Sequence, residues 1–442
     1  MKKLTELARL VSQLEELTSA CKKCGACQSV CPIFEQTGME KDFARGKIAV
    51  LDGVMEQVVS NSGAVLQRLD NCLLCGSCQT VCPNRVESLR IFFSAKKILA
   101  NYKGLSPAKK FLFRQILAKP YVFNSVLSIG SLMQGLVLKK QGAAPGTRAP
   151  RFPASLILEG RHVPPLAQVP FHKQKTAESL KIGLPVENSS RDTKRALFFT
   201  GCLIDKIFPD IAKTSVEVLK ARGFTPVILE DECCCGIPAL SSGDHEAFTQ
   251  MVRHNLAQMS KLRFDILVTA CATCAFTIKK AWPMMWDKAD SDYEKIEAVA
   301  NKTADITQLL GGPLVNKKTV SNQNAVPVTY HDPCHLKKSL GVSEEPRALI
   351  NANPDCRLVE MAAPDACCGM GGGFGVTHLQ MSAAIGASKL QSILDTGSKI
   401  VATTCPACMI QIAGLLSKAG HKDISVCHVI ELYAKAAPFD VV

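Results

Sequence analysis

The chain has 442 residues, of which 47% are hydrophobic and 21% are charged. This apolar content supports several packed cores, so a disordered chain, a fibrous repeat and a small disulfide-held scaffold are excluded. The net charge is +13, and the composition includes 21 cysteines. So many cysteines in so long a chain are untypical of a disulfide framework, which belongs to short secreted proteins.

The first predicted element is an amphipathic helix near the amino terminus. Its apolar side chains recur at helical spacing and are Leu4, Leu7, Leu10, Val11, Leu14 and Leu17. Glu6, Arg9 and Glu15 interrupt the segment, which therefore lacks the apolar centre of a secretory signal. We predict a cytoplasmic protein whose thiols stay reduced, a setting in which abundant cysteines usually bind metal.

Two cysteine runs with identical spacing follow. The first is Cys21, Cys24, Cys27 and Cys31 before Pro32, and the second is Cys72, Cys75, Cys78 and Cys82 before Pro83. This C-x2-C-x2-C-x3-C-P run is typical of bacterial two-cluster ferredoxins, in which the fourth cysteine of each run binds the other cluster. We therefore predict two cubane [4Fe–4S] clusters, one on Cys21, Cys24, Cys27 and Cys82 and the other on Cys72, Cys75, Cys78 and Cys31. Structural zinc is the alternative, although zinc sites usually show paired C-x2-C units with a spacer. The segment between the runs is predicted to be helical.

A basic, largely helical stretch comes next. Eleven lysines and arginines and no acidic residue lie between Lys96 and Leu158. Nucleic acid, an anionic membrane face or an acidic protein would suit this charge. We predict no nucleic-acid binding, because interleaved aromatic residues and a base-reading motif are missing. Its part from Lys96 to Lys140 is a candidate docking surface for a partner or for anionic lipid, and a solvated helical connector is the alternative interpretation.

Neither of the next two segments is predicted to cross a membrane. Pro120–Leu138 is uncharged but too polar for a membrane span. Gln141–Phe171 contains six prolines and is predicted to be an extended arm or linker. We therefore predict a cytoplasmic protein in peripheral contact with a membrane at most.

The remainder of the chain contains an internal repeat with an offset of 132 to 134 residues. Strands are predicted at Ala196–Thr200, Pro226–Glu230 and Phe264–Thr269 in the first copy and at Val326–Tyr330, Cys356–Met361 and Lys399–Thr403 in the second. Helices are predicted near Pro209–Ala221 and His245–Lys261. Strands that alternate with helices predict parallel α/β layers, whose functional sites lie just after the strands.

Five cysteines recur at matching positions in each copy. They are Cys202, Cys234, Cys235, Cys271 and Cys274 in the first copy and Cys334, Cys367, Cys368, Cys405 and Cys408 in the second. A C-x2-C pair alone is typical of a thioredoxin-like dithiol. The adjacent pair followed by Gly236 or Gly369, together with a lone cysteine, favours a metal cluster, because glycine lets the backbone approach an inorganic core.

The whole pattern resembles the CCG-domain iron–sulfur proteins. These include the heterodisulfide reductase catalytic subunit and the iron–sulfur subunits of glycolate oxidase, lactate dehydrogenase and anaerobic glycerol-3-phosphate dehydrogenase. The segments Cys31–Phe34 and Ala44–Lys47 are similar to the glycolate oxidase branch. The resemblance implies one or two noncubane [4Fe–4S] clusters on the ten repeated cysteines. In the triplet Cys233–Cys235, either Cys233 or Cys234 is the ligand beside Cys235, and we favour Cys234 because its spacing matches the second copy.

The predicted fold class is α+β and α/β. A helical two-cluster ferredoxin-like domain (1–100) precedes a basic connector with a proline-rich linker (101–190) and two α/β CCG modules (191–318 and 319–442). The resemblance implies an iron–sulfur electron-transfer subunit of a flavin-dependent lactate or glycolate dehydrogenase. Its expected partners are a flavoprotein dehydrogenase subunit and an acceptor such as quinone or another carrier. A disulfide reductase whose catalytic centre is a noncubane cluster, or a glycerol-3-phosphate dehydrogenase subunit, is the alternative.

Several remaining residues have two interpretations. His331 and His335 flank Cys334 and either donate hydrogen bonds or protons to a cluster or only pack in the loop. The run Gly369–Gly375 is interpreted as a wrap around the second cluster, because it does not fit a full phosphate-binding fingerprint. Cys356 and Cys427 are interpreted as buried small apolar side chains.

Overall fold

The amino-terminal part is a bundle of helices around the two ferredoxin-type runs. A computed structural model of the chain describes residues 2–59, 61–140, 146–152, 154–181, 193–314 and 322–436. The α-helices of the bundle are Lys2–Ser19, Pro32–Thr37, Ala44–Met55, Ser62–Asp70, Ser77–Thr80 and Ser88–Lys103. Leu10 and Leu14 of the first helix are buried, as its apolar periodicity predicts, and belong to the same core as Phe92 and Phe93 of the last. The segment between the runs is helical, as expected.

A helical connector continues the chain. It consists of Pro107–Lys110, a π-helix over Phe111–Leu117, and Pro120–Val137. Two short antiparallel strands follow, β1 (Leu138–Lys139) and β2 (Ala149–Pro150), and then helices Ala154–Leu158 and Lys175–Lys181. The proline-rich arm packs on the second module, because the His162 Nδ1 lies 2.7 Å from the Ser417 Oγ. Residues 141–145 and 153 of the predicted arm lie outside the described residues.

The first α/β module holds a parallel four-stranded sheet. Its strands are β3 (Arg195–Phe198), β4 (Thr225–Val227), β5 (Ile266–Thr269) and β6 (Thr303–Asp305). Their order across the sheet is β4-β3-β5-β6. The register pairs Leu197 with Leu267 and Leu267 with Thr303. The surrounding helices are Cys202–Lys206, Pro209–Ala221, Ile237–Ser241, His245–Met259, Ala272–Phe276, Trp282–Met285, Tyr293–Lys302 and Ile306–Gly311, with a π-helix over Thr277–Ala281.

The second module repeats this topology. Its strands are β7 (Val326–Tyr330), β8 (Cys356–Leu358), β9 (Ile400–Thr403) and β10 (Ser425–His428), in the order β8-β7-β9-β10, and all are parallel. Its helices are Glu344–Asn351, Phe374–Thr377, Leu379–Leu394, Pro406–Lys418 and Val429–Ala436, with a π-helix over His335–Ser339. The repeat in the sequence is therefore a repeat of the fold. The predicted strands are present, and each module adds a fourth strand, β6 or β10, that was not predicted.

The two modules pack directly against each other. The backbone N–H of Ala272 in the first module donates to the carbonyl of Thr404 in the second at 3.1 Å. Helix Pro209–Ala221 contacts helix Val429–Ala436, and Ile306–Gly311 contacts Glu344–Asn351. The C-x2-C loops of both modules therefore meet at their shared boundary.

Candidate metal centres

The first ferredoxin-type set gathers around one cavity at the surface. Cys21, Cys24 and Cys27 lie on the loop after the first helix, and Cys82 of the second run faces them across the cavity. Cys78 touches the same cavity from the side of the second set. Cys24 is exposed, so this end of the molecule is accessible to a partner.

The second set lies deeper. A separate cavity is lined by Cys31, Cys72, Cys75 and Cys78, so each cavity combines three cysteines of one run with the fourth of the other. Burial raises the pKa of the Cys75 thiol to about 11, with the nearby Cys367 adding to the effect. The protein alone therefore keeps this thiol protonated at neutral pH. A bound metal centre has to displace that proton.

The first α/β module brings its five cysteines to one edge of its sheet. Cys202 follows β3, Cys234 and Cys235 follow β4, and Cys271 and Cys274 follow β5. Because the carboxyl ends of parallel strands meet at one edge, side chains distant in sequence converge there. The Cys234 Sγ lies 3.9 Å from the Cys202 Sγ, and the Cys235 thiol is hydrogen-bonded to Cys234 and Cys274.

The side chains of the triplet Cys233–Cys235 point in two different directions. The Cys233 thiol points to the Leu117 carbonyl at 3.5 Å, and its backbone N–H donates to Asn255. Cys234 and Cys235 instead face the other cysteines of the set. Gly236 has φ +96°, which turns the chain sharply after the pair. This arrangement supports Cys234, rather than Cys233, as the ligand beside Cys235.

The second module repeats the constellation and adds a histidine. The Cys368 Sγ lies 3.4 Å from the Cys408 Sγ, and the Gly369 N–H donates to the Cys367 Sγ. The ligand atoms of His331, Cys368 and Cys408 all lie within 4.8 Å of one another. Burial lowers the pKa of His331 to about 3, so its ring is neutral. A neutral imidazole in this position can donate a hydrogen bond to a bound group or bind metal directly.

These donor sets fit iron–sulfur groups. The second module's cysteines are buried or half-buried, and the two nitrogens of buried His331 have no hydrogen-bond partner among the described residues. Buried polar atoms are normally paired, so this imidazole is suited to face a bound group. Five convergent thiols exceed the four ligands of a structural zinc ion.

The four cysteine sets form one continuous row. Cys75 of the deeper ferredoxin-type set interacts with Cys367 and lies in the same small core as Cys334. At the other side of the second module, Cys405 interacts with Cys271 of the first module, and its Sγ lies 3.4 Å from the Thr273 Oγ1 of that module. The spatial order is therefore the surface ferredoxin set, the deeper ferredoxin set, the second module and the first module.

His335 connects three parts of this row. Its Nε2 lies 3.2 Å from the Leu74 carbonyl in the ferredoxin part, and its Nδ1 lies 3.3 Å from the Thr273 Oγ1 in the first module. The ring also stacks on Phe276 with a centroid distance of 4.4 Å. His335 thus packs in the loop and also links the neighbouring sets.

A pocket opens beside the far end of the row. Cys202 and Cys234 line it together with His172, Asp205 and Lys206. Lys206 Nζ lies 2.5 Å from an Asp205 oxygen and 3.0 Å from the His172 Nδ1. Burial opposes ionisation of Asp205, but the hydrogen bond from His172 and the charge of Lys206 lower its pKa overall.

Glu232 lies in the same pocket and behaves differently. Its carboxyl accepts the backbone N–H groups of Thr200 and Gly201, at 2.9 and 2.6 Å. Burial nevertheless raises its pKa to about 8. None of the polar residues of this pocket was predicted from the sequence. No spacing signal distinguishes them, because His172 comes from the linker and Glu232 from the loop after β4.

Comparison with known protein families agrees with this architecture. Residues 17–86 match the family described as a 4Fe-4S dicluster domain, and residues 196–279 and 328–413 each match the cysteine-rich CCG domain. Lactate utilization protein A of Exiguobacterium sp. is 30% identical over 237 residues, covering 54% of this chain and 95% of that protein. The chain belongs to the CCG-domain iron–sulfur proteins.

Two other relatives match the chain over nearly its whole length. The probable glycolate oxidase iron-sulfur subunit of Bacillus subtilis is 25% identical, covering 94% of this chain and 93% of the relative. A component of the dihydromethanophenazine:CoB–CoM heterodisulfide reductase of Methanosarcina barkeri is 26% identical, covering 96% of this chain and 95% of the relative. The similarity to these oxidoreductase subunits therefore extends over the ferredoxin-type part, the connector and both modules.

Proposed function

We propose that this protein is the iron–sulfur electron-transfer subunit of a flavin-dependent lactate or glycolate dehydrogenase complex. In this function it accepts electrons from a flavoprotein subunit and passes them to quinone or another carrier. The observation that carries the proposal is the continuous row of four cysteine sets. Such a row supports transfer through the molecule from one surface to the other.

The residues proposed to hold the clusters are the eighteen predicted cysteines. Cys21, Cys24, Cys27 and Cys82 would hold one cubane cluster, and Cys31, Cys72, Cys75 and Cys78 the other. The five cysteines of each module would hold a noncubane cluster. A cluster supplies reversible one-electron storage, and hydrogen bonds to its sulfurs and its exposure tune the potential. Thr273 and His331 lie where they can donate such bonds.

The choice of substrate rests on relatives. The glycolate oxidase subunit and lactate utilization protein A carry names that refer to 2-hydroxy acids. The chemistry on the acid is assigned to the flavoprotein partner.

The test is anaerobic purification of the tagged full chain from its own host. We expect a flavoprotein to co-purify, and the cluster absorbance to bleach on addition of lactate or glycolate. The variant Cys75→Ser should keep its partner but lose more than tenfold in acceptor reduction, because it interrupts the row. Cys427→Ser is the matched control, since Cys427 lies in β10 outside the cysteine sets. Bleaching with glycerol 3-phosphate instead would identify the protein as a subunit of a glycerol-3-phosphate dehydrogenase.

A second function is favoured by the pocket at Cys202. A buried lysine, an aspartate and a histidine beside two thiols suit a site where a small disulfide is cleaved. This candidate predicts a preparation without flavin whose dithionite-reduced clusters are reoxidised by a disulfide. That result would overturn the electron-relay proposal.

A further inference from the structure

The helix Pro120–Val137 has the reverse of the orientation expected for a helix in water. Three of its polar side chains, Asn124, Ser128 and Gln134, bond to other segments of the protein. The Asn124 Oδ1 accepts from Lys206, and Gln134 exchanges two hydrogen bonds with the backbone of Leu166, at 2.9 and 3.0 Å. Ser128 accepts from Lys173 at 3.2 Å.

The outward side of the same helix is apolar. Its large exposed side chains, which we call the Leu132 face, are Tyr121, Val126, Ile129, Leu132, Met133, Leu136 and Val137. Tyr121, Leu132 and Leu136 expose 83%, 85% and 71% of their surface. Tyr121, Ser125, Ile129, Leu132 and Leu136 are spaced by three or four residues and form one stripe along the helix. A soluble helix shows the opposite arrangement, with its polar side in water.

Neighbouring segments extend this apolar surface. Phe111 and Leu112 on the preceding π-helix are exposed. At the other end, Phe152 is 81% exposed, and the backbone N–H of Arg151 donates to the Val137 carbonyl, which places this segment beside the end of the helix. The apolar surface is therefore larger than one helix face, and patches of this kind mark interaction sites.

Basic side chains flank the surface at both ends. Exposed Lys110 and Lys119 precede the helix, and exposed Lys139, Lys140 and Arg151 lie at its carboxyl end. No aspartate or glutamate occurs between Lys96 and Leu158. An apolar stripe bordered by lysine and arginine is typical of helices that lie in the interface of an anionic bilayer.

We propose that the Leu132 face binds the surface of an anionic lipid bilayer, with helix Pro120–Val137 lying in the plane of the interface. Among the described residues no single helix is long and apolar enough to cross a membrane, and the one pair of helices that qualifies together is bent by 101°. The inward hydrogen bonds of Asn124 and Gln134 hold the helix against the protein, so lipid can reach only its outer side. This inference is independent of the substrate and partner proposed above.

The composition of the face favours lipid over a protein partner. Protein interfaces usually carry about one hydrogen bond per 100–200 Å2. On the exposed stripe of this helix, the polar side-chain groups are those of Ser125 and the Tyr121 hydroxyl. A tyrosine at the end of an apolar stripe suits the headgroup level of a bilayer.

Co-sedimentation of the full chain with vesicles tests the proposal. We expect binding to phosphatidylethanolamine vesicles with 30% phosphatidylglycerol and at least tenfold weaker binding to phosphatidylcholine vesicles. The double variant Leu132→Glu/Leu136→Glu should lose binding by more than tenfold. Val58→Glu is the matched control, because Val58 is 78% exposed in the loop between helices Ala44–Met55 and Ser62–Asp70. No sedimentation of the wild type with either vesicle, or equal sedimentation of the double variant, would overturn the proposal.

A depth measurement separates insertion from adhesion by charge alone. The native Trp282 and Trp286 are buried, so a change in fluorescence on vesicles can be attributed to the exposed indole of a Leu132→Trp variant. We expect its emission to shift to the blue on anionic vesicles and to be quenched by brominated lipid chains. A Val58→Trp variant should show neither effect. If the variant sediments with vesicles but its tryptophan is not quenched, the lysines alone account for binding. That result would refute insertion of helix Pro120–Val137 into the interface.

Discussion

Asp332 is the fully buried carboxylate that precedes the Cys334 loop. Arg347 donates to both of its oxygens, at 3.0 and 2.9 Å, and also to Glu360 at 2.6 and 3.0 Å. Asp332 is completely buried, whereas the Glu360 side chain is 46% exposed. The two ion pairs on one guanidinium therefore differ in environment, which makes their energetic contributions unequal.

We expect Arg347→Met to lower the free energy of unfolding by about 3 kcal/mol, because the buried Asp332 then keeps only the more distant ion pair with Lys337, at 3.4 Å. Glu360→Gln should cost less than about 1 kcal/mol, as is usual for an exposed pair. Anaerobic urea titration measures both. Adding Asp332→Asn to Arg347→Met should recover part of the loss, and no recovery would contradict the charge argument.

Because His428 is buried, we predict that the protein becomes less stable in acid. The ring is fully buried in β10, its Nδ1 accepts the N–H of Ile430, and burial lowers its pKa to about 4. Below pH 6.5 the imidazole of His428 takes up a proton in the unfolded chain but stays neutral in the folded protein. Protonation therefore favours the unfolded state, and stability declines as the pH falls from 6.5 towards 4. We expect about 2 kcal/mol to be lost between pH 8 and pH 5. A His428→Gln variant should show a smaller difference between urea midpoints at these two pH values, and an equal difference would exclude this residue as the cause.

Individual residues were predictable only where spacing marks them. The cysteines of both runs and both modules follow from regular intervals, and the structure gathers them into four sets. His172 and Lys206 follow no interval, because a linker and a short helix bring them together. Tertiary contact alone creates that pocket.

At the scale of elements, the loop between the Cys234–Cys235 pair and the helix Ile237–Ser241 depends on glycine. A Cβ at Gly236 would lie 2.7 Å from the Phe248 ring, and φ there is +96°. At Gly223, φ is +77° and no heavy atom lies within 4 Å of the same position. Both glycines therefore have a positive φ, but only at Gly236 would an added Cβ collide with a neighbouring side chain.

We therefore expect Gly236→Ala to destabilise the protein by about 1–3 kcal/mol more than Gly223→Ala, through crowding of the buried Phe248 ring. The Gly223→Ala variant reports the cost of the backbone conformation by itself. Urea midpoints measured under the same anaerobic conditions give the comparison. Equal losses in the two variants would show that crowding is relieved elsewhere.

The strands that were not predicted share a physical reason. β6 reads Thr-Ala-Asp and β10 reads Ser-Val-Cys-His, so neither has the apolar run that marked the other strands. Both become strands by pairing with an already buried neighbour, β5 or β9. Tertiary pairing decided these elements, whereas the predicted strands have a local apolar signal.

At the scale of the whole molecule, His335 is the residue where three parts meet. We expect His335→Ala to increase amide hydrogen exchange about tenfold in segments 72–76 and 271–276, because both lose their shared contact. His254→Ala is the control, since His254 bonds the Asp231 carbonyl away from this junction. Mass spectrometry of the exchanged peptides gives the readout. Unchanged exchange in both segments would show that the parts are held by other contacts.

The contact between Cys75 and Cys367 joins points nearly three hundred residues apart in the chain. During synthesis the ribosome adds roughly 5–20 residues per second, so roughly 15–60 s separate the appearance of the two loops. For that interval the deeper ferredoxin-type loop has no cover from the second module. A cluster bound by this loop before the second module has folded would therefore lie open to solvent and oxygen.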